Sequence, residues 1–203
     1  QEAMLEFAEF PTTHGVFNLK MSIGCSAGPV FGACLGDPAI GREFVLAGAG
    51  VEACAQAESA ANATQVFVTP STWERIANVA EKCEERDGGI EVLRFRRAPR
   101  APRKQPAILR NPEALDAVVA EARRFLPPGI APKIEADPES PHIDSEHREI
   151  TVLFLNFWGV RYDEDPQAFV RLNGFYTAMQ RIADRFGGVV NKMDMYTHGD
   201  KLM

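Results

Sequence analysis

The pattern of apolar and polar residues divides the chain into short strands and helices. Positions 21–25 alternate with a period near two, which is typical of a strand. A second apolar run begins at Val30 and ends before the turn sequence 36–38, and a third covers 43–47. Positions 51–58 then place their apolar residues on one face of a helix. This part of the chain is therefore predicted to contain three strands followed by a helix.

The next part of the chain predicts a further strand, a helix and another strand. Residues 65–68 form a short apolar run, and 90–95 alternate as a strand would. Between them, Ser71 is the predicted N-cap of a helix over 72–82, with a glutamate three residues later as in a capping box. Residues 1–10 have the apolar spacing of the tail of an amphipathic helix.

The second half of the chain has two linker-like segments and two strong periodic patterns. The basic, proline-rich residues 94–104 and the polar residues 129–147 are typical of linkers. Between them, Asn111 is a good N-cap for a helix that begins with proline. Residues 150–157 form a near-continuous apolar run, which predicts a strand buried on both faces. Helical spacing over 166–186 predicts a long amphipathic helix.

Composition narrows the class of protein. Hydrophobic residues make up 45% of the 203, enough for a sizeable core, and the net charge of -6 argues against a general nucleic-acid binder. No apolar run approaches the length of about 20 residues that spans a membrane. The four cysteines have no paired metal-site spacing, and Cys25, Cys34 and Cys54 lie among apolar residues. We therefore expect a cytoplasmic protein.

Two stretches resemble the class III adenylate/guanylate cyclase family. IGCSAGPVFGACLG and REFVLAGAGVEACAQAES resemble the second half of such a domain, over residues 16–97. HREITVLFLNFWGV and RFGGVVNKMDMYTHGDKLM resemble the first half of another, over 148–203. The resemblance implies an α+β fold, ferredoxin-like, with helices packed on one face of a mixed sheet. The expected organisation is a half-domain at 1–97, a linker with one helix at 98–147, and a second half-domain at 148–203.

The two segments are complementary halves of one family domain. The strand 151–157 would belong in the same sheet as the strands of 19–48. We therefore expect 148–203 and 16–97 to complete one permuted unit, either within a chain or by exchange between two chains. Unpaired, each half would leave a broken sheet edge.

The resemblance also implies a chemistry. Members of the family join the ribose 3′-hydroxyl of a nucleoside triphosphate to its α-phosphate, using two Mg²⁺ ions held by two aspartates. The first aspartate position is Asn156 in this chain, and the second is Asp200. The family's ribose-orienting asparagine falls at Glu52, and its transition-state arginine falls at Gln56. Loss of that cation is expected to raise the barrier by several kcal/mol.

The resemblance also assigns two positions that would select the purine base, and four glycines could in principle bind phosphate. The purine-selecting positions of the family fall at Val45 and Tyr196, and a valine side chain cannot hydrogen-bond a base. Four glycines suggest a phosphate cradle, but their spacing matches neither GxGxxG nor a P-loop, so turn and close-packing roles are favoured. These glycines are Gly24, Gly28, Gly32 and Gly36.

Three functions are compatible with these features. The favoured one is a cyclase-homology region of a signalling protein that has lost catalysis and acts in regulation, nucleotide binding or dimerisation. An active adenylate or guanylate cyclase completed by a partner domain is the second, with Mg²⁺ as cofactor and ATP or GTP as ligand. A ligand-free interaction scaffold is the third. The expected partners are other domains of the parent protein and a second copy in a homodimer or domain-swapped dimer, with no membrane or nucleic acid.

Overall fold

The structure is a computed structural model in which short strands and helices are mixed along the chain. The fold class is α+β, as the sequence predicts. The structure describes residues 9–86, 88–97, 111–140, 142–143, 145, 147, 149–195 and 199–203.

The strands, in chain order, are β1 (Phe10–Thr12), β2 (Gly15–Phe17), β3 (Ile23–Cys25), β4 (Phe31–Leu35), β5 (Glu43–Ala47), β6 (Val66–Val68), β7 (Ala80–Arg86), β8 (Gly89–Phe95), β9 (Leu155–Phe157), β10 (Met193–Asp194) and β11 (Asp200–Leu202). The helices are α1 (Ala49–Ala60), α2 (Pro70–Ile76), α3 (Pro112–Ala122), α4 (Ala131–Ala136) and α5 (Ala168–Arg185). A 3₁₀ turn, Arg123–Phe125, follows α3.

Contacts divide the chain into two compact units, neither of which is a continuous stretch of sequence. The first unit is drawn from Gln1–Val30 and Ala47–Ala101, and the second from Phe31–Leu46 and Pro102–Met203. The described part of the chain contains no helix that is both long enough and apolar enough to cross a membrane.

The first unit is built on a four-stranded sheet with the order β3-β6-β8-β7. β3 runs parallel to β6, and the other two pairs are antiparallel. One face buries Val68, Ala80, Ile90 and Val92, with Trp73 of α2 packed against them. The strands at 21–25, 65–68 and 90–95 that the sequence predicts are thus present, and they share one sheet.

A glycine lets α1 lie directly on β3. A Cβ atom at Gly24 would stand 2.3 Å from the backbone nitrogen of Glu58 and 2.4 Å from the carbonyl oxygen of Cys54. Only a residue without a side chain fits there, because both neighbours are backbone atoms of α1. Gly24 therefore has the close-packing role that the sequence favours over a phosphate cradle.

Two sequence predictions in this unit are corrected. The predicted helix over 72–82 ends at Ile76, and β7 begins at Ala80, because that segment pairs with β8 in an antiparallel hairpin. The N-cap is Thr69 rather than Ser71, since the Thr69 hydroxyl accepts a hydrogen bond from the backbone N–H of Thr72. The expected helix at 1–10 lies outside the described residues except for its last two positions, and of these Phe10 belongs to β1, where it pairs with Phe17 instead of continuing a helix.

We expect Gly24→Ala to destabilise the first unit by about 1–3 kcal/mol, because the added methyl must push α1 away from β3. Gly28→Ala is the matched control, since a Cβ at Gly28 would meet no atom within 4 Å. Denaturant unfolding followed by Trp73 fluorescence, in a Trp158→Phe background, measures the effect. Equal unfolding midpoints for the two variants would contradict this packing.

The second unit combines a hairpin from early in the chain with elements from its end. β4 pairs with β5, and a three-stranded antiparallel sheet has the order β10-β11-β9. Both pack on α5 through one hydrophobic core. Its buried members are Ala33, Leu35, Val45, Leu172, Tyr176, Met193 and Leu202.

Polar side chains of α5 fix the loop between β4 and β5. The Gly36 N–H donates to the Asn173 Oδ1 at 2.9 Å, and the Asp37 N–H donates to the Gln180 Oε1 at 2.8 Å. The Gln180 Nε2 donates to the Gly41 carbonyl oxygen at 2.9 Å. Because Gln180 is only 6% exposed, these bonds satisfy backbone groups that the packing shields from water.

An ion pair reinforces the same loop. Arg181 donates to the Asp37 carboxylate at 2.9 Å, and this hydrogen bond lowers the pKa of Asp37. Gly36 has a φ of +101°, and a Cβ on it would stand 2.7 Å from the Gly41 carbonyl oxygen. A glycine is thus required where the chain turns beneath α5.

Several predictions in this unit are borne out and others are corrected. The long helix is α5, and the Asn111 side chain caps α3 by accepting from the Glu113 N–H. The polar linker 129–147 contains the short helix α4. The strand predicted over 150–157 forms only at its end, as β9, because only those residues pair with β11. The expectation that it shares a sheet with the strands of 19–48 is wrong, because β9 lies in the sheet β10-β11-β9, apart from the sheets that hold β3, β4 and β5. Leu153 and Phe154, expected to be buried, are 73% and 68% exposed.

We expect Gln180→Ala to lower the unfolding free energy of the second unit by about 2 kcal/mol, because two shielded backbone groups lose their partners. Gln167→Ala, at an exposed position before α5, is the matched control. Unfolding followed by Trp158 fluorescence in a Trp73→Phe background measures the change. A Gln180→Ala variant as stable as the control would show that the loop does not depend on this side chain.

Candidate functional site

The two positions to which the cyclase resemblance assigns metal-binding aspartates lie on neighbouring strands. In the antiparallel register, Asn156 of β9 is opposite Lys201, and Asp200 of β11 is opposite Phe157. Because side chains alternate along a strand, Asn156 and Asp200 extend to opposite faces of the sheet. Asn156 lies on the exposed face, and Asp200 is 8% exposed on the core face.

Asp200 is held on the core face by a tyrosine that the sequence does not single out. The Tyr162 hydroxyl donates a hydrogen bond to the Asp200 Oδ2 and lies 3.4 Å from the sulfur of Met195. Burial, with the hydrogen bond to Asp200, raises the pKa of the Tyr162 hydroxyl well above its ordinary value. The raised pKa favours the protonated hydroxyl, which is the form that donates to the carboxylate.

Asn156 and Asp200 do not converge on one point. Asp200 supplies one carboxylate, already hydrogen-bonded, and the amide of Asn156 is on the other face of the sheet. Among the described residues, no group of three or more His, Cys, Asp or Glu side chains is suited to a metal ion. Mg²⁺ prefers several hard oxygen ligands that surround one position. Asn156 and Asp200 extend from opposite faces of the sheet, so their oxygen atoms do not surround a common position.

The positions to which the cyclase resemblance assigns the catalytic asparagine and arginine lie in the first unit, on α1. Glu52 and Gln56 are one helical turn apart, and both are exposed. Glu52 lies in the first turn of α1. Neither side chain carries the positive charge that would stabilise a developing phosphoryl charge, and Glu52 would repel a phosphate.

The structure describes one of the two positions that the resemblance assigns to the purine, Val45, but not the other, Tyr196. Val45 is 2% exposed and belongs to the core of the second unit, so almost none of its side chain is available to a ligand. Tyr196 lies outside the described residues, so its role stays a prediction. Of the six candidate residues, the structure brings Asn156 and Asp200 to adjacent strands and places Glu52 and Gln56 on one helix face.

Tyr162 is the residue of this region that sequence reasoning misses. Its neighbours in the sequence, Arg161 and Asp163, are both charged, and the surrounding polar stretch indicates a surface loop. Tyr162 and Asp200 are far apart in the chain, so no local sequence pattern predicts their contact. The contact could be predicted only after the pairing of β9 with β11 was known.

No protein-family model matches this chain, and no curated protein is significantly similar to it. The likeness to cyclases therefore rests on the residues quoted above.

We expect Tyr162 and Asp200 to be coupled energetically. In a double-mutant cycle of Tyr162→Phe and Asp200→Asn, the coupling energy should be about 1–3 kcal/mol, because the hydrogen bond is shielded and its acceptor is a carboxylate. Chemical unfolding of the wild type, the two single variants and the double variant measures it. Additive effects of the two substitutions would contradict the contact.

Proposed function

We propose that this chain is a cyclase-homology region of a signalling protein that has lost nucleotide cyclisation and serves a regulatory role, through nucleotide binding or dimer contacts. The fold it would share is the α+β class III cyclase fold. ATP or GTP is the proposed ligand class, and other domains of the parent protein or a second copy are the proposed partners.

The observation that carries this proposal is the arrangement of Asn156 and Asp200. Two-metal catalysis needs carboxylates that face one another across the reacting phosphate, so that both ions contact the attacking and leaving oxygens. Here one carboxylate is replaced by an amide on the opposite face of the sheet, and the other accepts a hydrogen bond from Tyr162. Both features favour a site without cyclase activity.

The charges on α1 support the same conclusion. An arginine at position 56 would stabilise the transition state by several kcal/mol, and a neutral glutamine cannot replace it. The carboxylate of Glu52 adds a negative charge beside the place where a triphosphate would lie in the family. A nucleotide would therefore bind more weakly and react more slowly than at an intact site.

The packing of the second unit supports the proposal for one part of segment 16–97, residues 31–46, which packs with 148–203, whereas the other strands of that segment form the sheet of the first unit. The hairpin β4–β5 comes from the first segment, and α5 comes from the second. They share a hydrophobic core and hydrogen bonds between Gly36 and Asn173 and between Asp37 and Gln180. Complementary halves of a family domain would make such contacts within one chain or by exchange between two.

Two alternatives make different predictions. An active adenylate or guanylate cyclase with a partner domain would form cyclic nucleotide in the presence of Mg²⁺ or Mn²⁺. A pure scaffold would bind neither ATP nor GTP. The proposed regulatory module would bind at most one nucleotide without converting it.

We expect the purified chain to form no cyclic AMP or cyclic GMP above the protein-free blank, with Mg²⁺ or Mn²⁺ present. A triple variant with Asn156→Asp, Glu52→Asn and Gln56→Arg should also be inactive, because position 156 lies on the wrong face of its sheet. A product assay with an authentic cyclase as positive control measures both, alongside calorimetric titration with ATP and GTP.

The outcomes separate the three functions. Turnover by the wild-type chain would refute the loss of activity, and turnover by the triple variant alone would refute the geometric part of the account. Heat of binding without product supports the nucleotide-binding module. A blank titration with both nucleotides favours the scaffold.

A further inference from the structure

The strand β9 has a free edge that continues into an exposed apolar run. Among the described strands, β9 has β11 as its one neighbour, so its other edge is unpaired. The residues that precede it, 150–154, belong to no strand. Four apolar residues of this region are between 68% and 74% exposed, namely Ile150, Leu153, Phe154 and Trp158. An unpaired edge of this kind is a template for pairing with another chain.

The composition of this edge favours a partner of the same character. Residues 150–158 include no charged side chain, so two antiparallel copies would meet without like charges opposite one another. Most of these residues are β-branched or aromatic, which are the types that favour strands. The run also contains no proline, so every residue has a backbone N–H that can pair. A charged partner would find no complementary charge along this edge.

We propose that residues 150–156 pair in antiparallel fashion with the same residues of a second copy of this chain, about a twofold axis at Leu153. The two backbones supply the hydrogen bonds, and the exposed apolar side chains supply the buried area. A twofold axis perpendicular to a sheet places one residue opposite its own copy, so each sheet face continues onto the equivalent face of the partner. Leu153 takes this position because it is the middle residue of the segment.

The exposed area fits a weak dimer. At roughly 150–250 Å² for a large side chain, the exposed parts of Ile150, Leu153, Phe154 and Trp158 amount to on the order of 500 Å². The paired backbones add to this area. Specific interfaces of standard size bury about 800 Å² on each partner. The edge therefore lies near the lower end of what a specific dimer needs.

The opposite edge of the same sheet explains why association should stop at two chains. That edge is β10, which is two residues long, Met193–Asp194. The Asp194 carboxylate forms an ion pair with the Lys192 amine at 2.6 Å. Short edge strands that carry charged side chains resist further pairing. Two three-stranded sheets would thus join into one sheet that ends at a protected strand on both sides.

This surface would supply the dimer contacts of the regulatory role, and to that extent the inference rests on the proposed function. Its test needs no nucleotide. Failure of the pairing and a blank titration with ATP and GTP are therefore separate results.

Sedimentation velocity of the whole chain, without nucleotide, tests the pairing. We expect a reversible equilibrium of monomer and dimer with a dissociation constant on the order of 10 μM. Leu153→Lys and Leu153→Asp should each be monomeric at about 100 μM, because like charges would meet on the axis. An equimolar mixture of the two variants should form a heterodimer, because opposite charges then meet there. Val119→Lys, at an exposed apolar position on α3, is the matched control and should dimerise as the wild type does.

Three results would overturn the proposal. They are a wild-type chain that is monomeric at about 100 μM, Leu153 variants that dimerise as well as the wild type, and a mixture of the two variants without a heterodimer. Assemblies larger than a dimer would contradict the protection assigned to β10. Amide-resonance dispersion shows whether each variant is folded. If a Leu153 variant is not, Phe154→Lys replaces it and should weaken dimerisation at least tenfold, and unchanged dimerisation of that variant would also overturn the proposal.

Discussion

The second unit depends on the docking of one hairpin, Phe31–Ala47, against α5. Burial of Leu35, Val45, Leu172 and Tyr176 contributes about 1.5–3 kcal/mol for each side chain. The hydrogen bonds from α5 to the loop at 36–41 fix the orientation of the hairpin, because they can all form in only one placement of it. The long intervening chain costs little, since each doubling of loop length adds only about 0.6 kcal/mol of closure entropy.

This docking joins two segments, 31–47 and 168–185, that are far apart in the chain. Neither segment supplies both the hairpin and the helix that covers it. Brought together, they form one core with β9 and β11, the strands that carry Asn156 and Asp200. In this core Asp200 accepts a hydrogen bond from Tyr162.

Much of the local structure follows from the sequence, and the exceptions have physical causes. Strong periodicity located α5, and the capping residue Asn111 located the start of α3. The bounds of β5 also agree with the apolar run 43–47. The predicted helix over 72–82 was too long, because pairing of β7 with β8 overrides the helical preference of its last residues. The strand predicted over 150–157 begins later in the structure, at Leu155, because a strand needs a hydrogen-bonding partner and only 155–157 pair with β11.

The candidate site was less predictable than the fold. Family positions could be assigned one by one, but the sequence carries no signal for the face of the sheet to which Asn156 and Asp200 point. That face depends on the register with β11. The Tyr162 contact joins residues more than one element apart, so it is visible only in three dimensions. The central claim, that the early hairpin docks on α5, is tested most directly by NMR. We predict nuclear Overhauser contacts between the Gly36 α-protons and the Tyr176 ring, since a Cβ at Gly36 would lie 3.1 Å from that ring. Their absence in the folded chain would contradict the account.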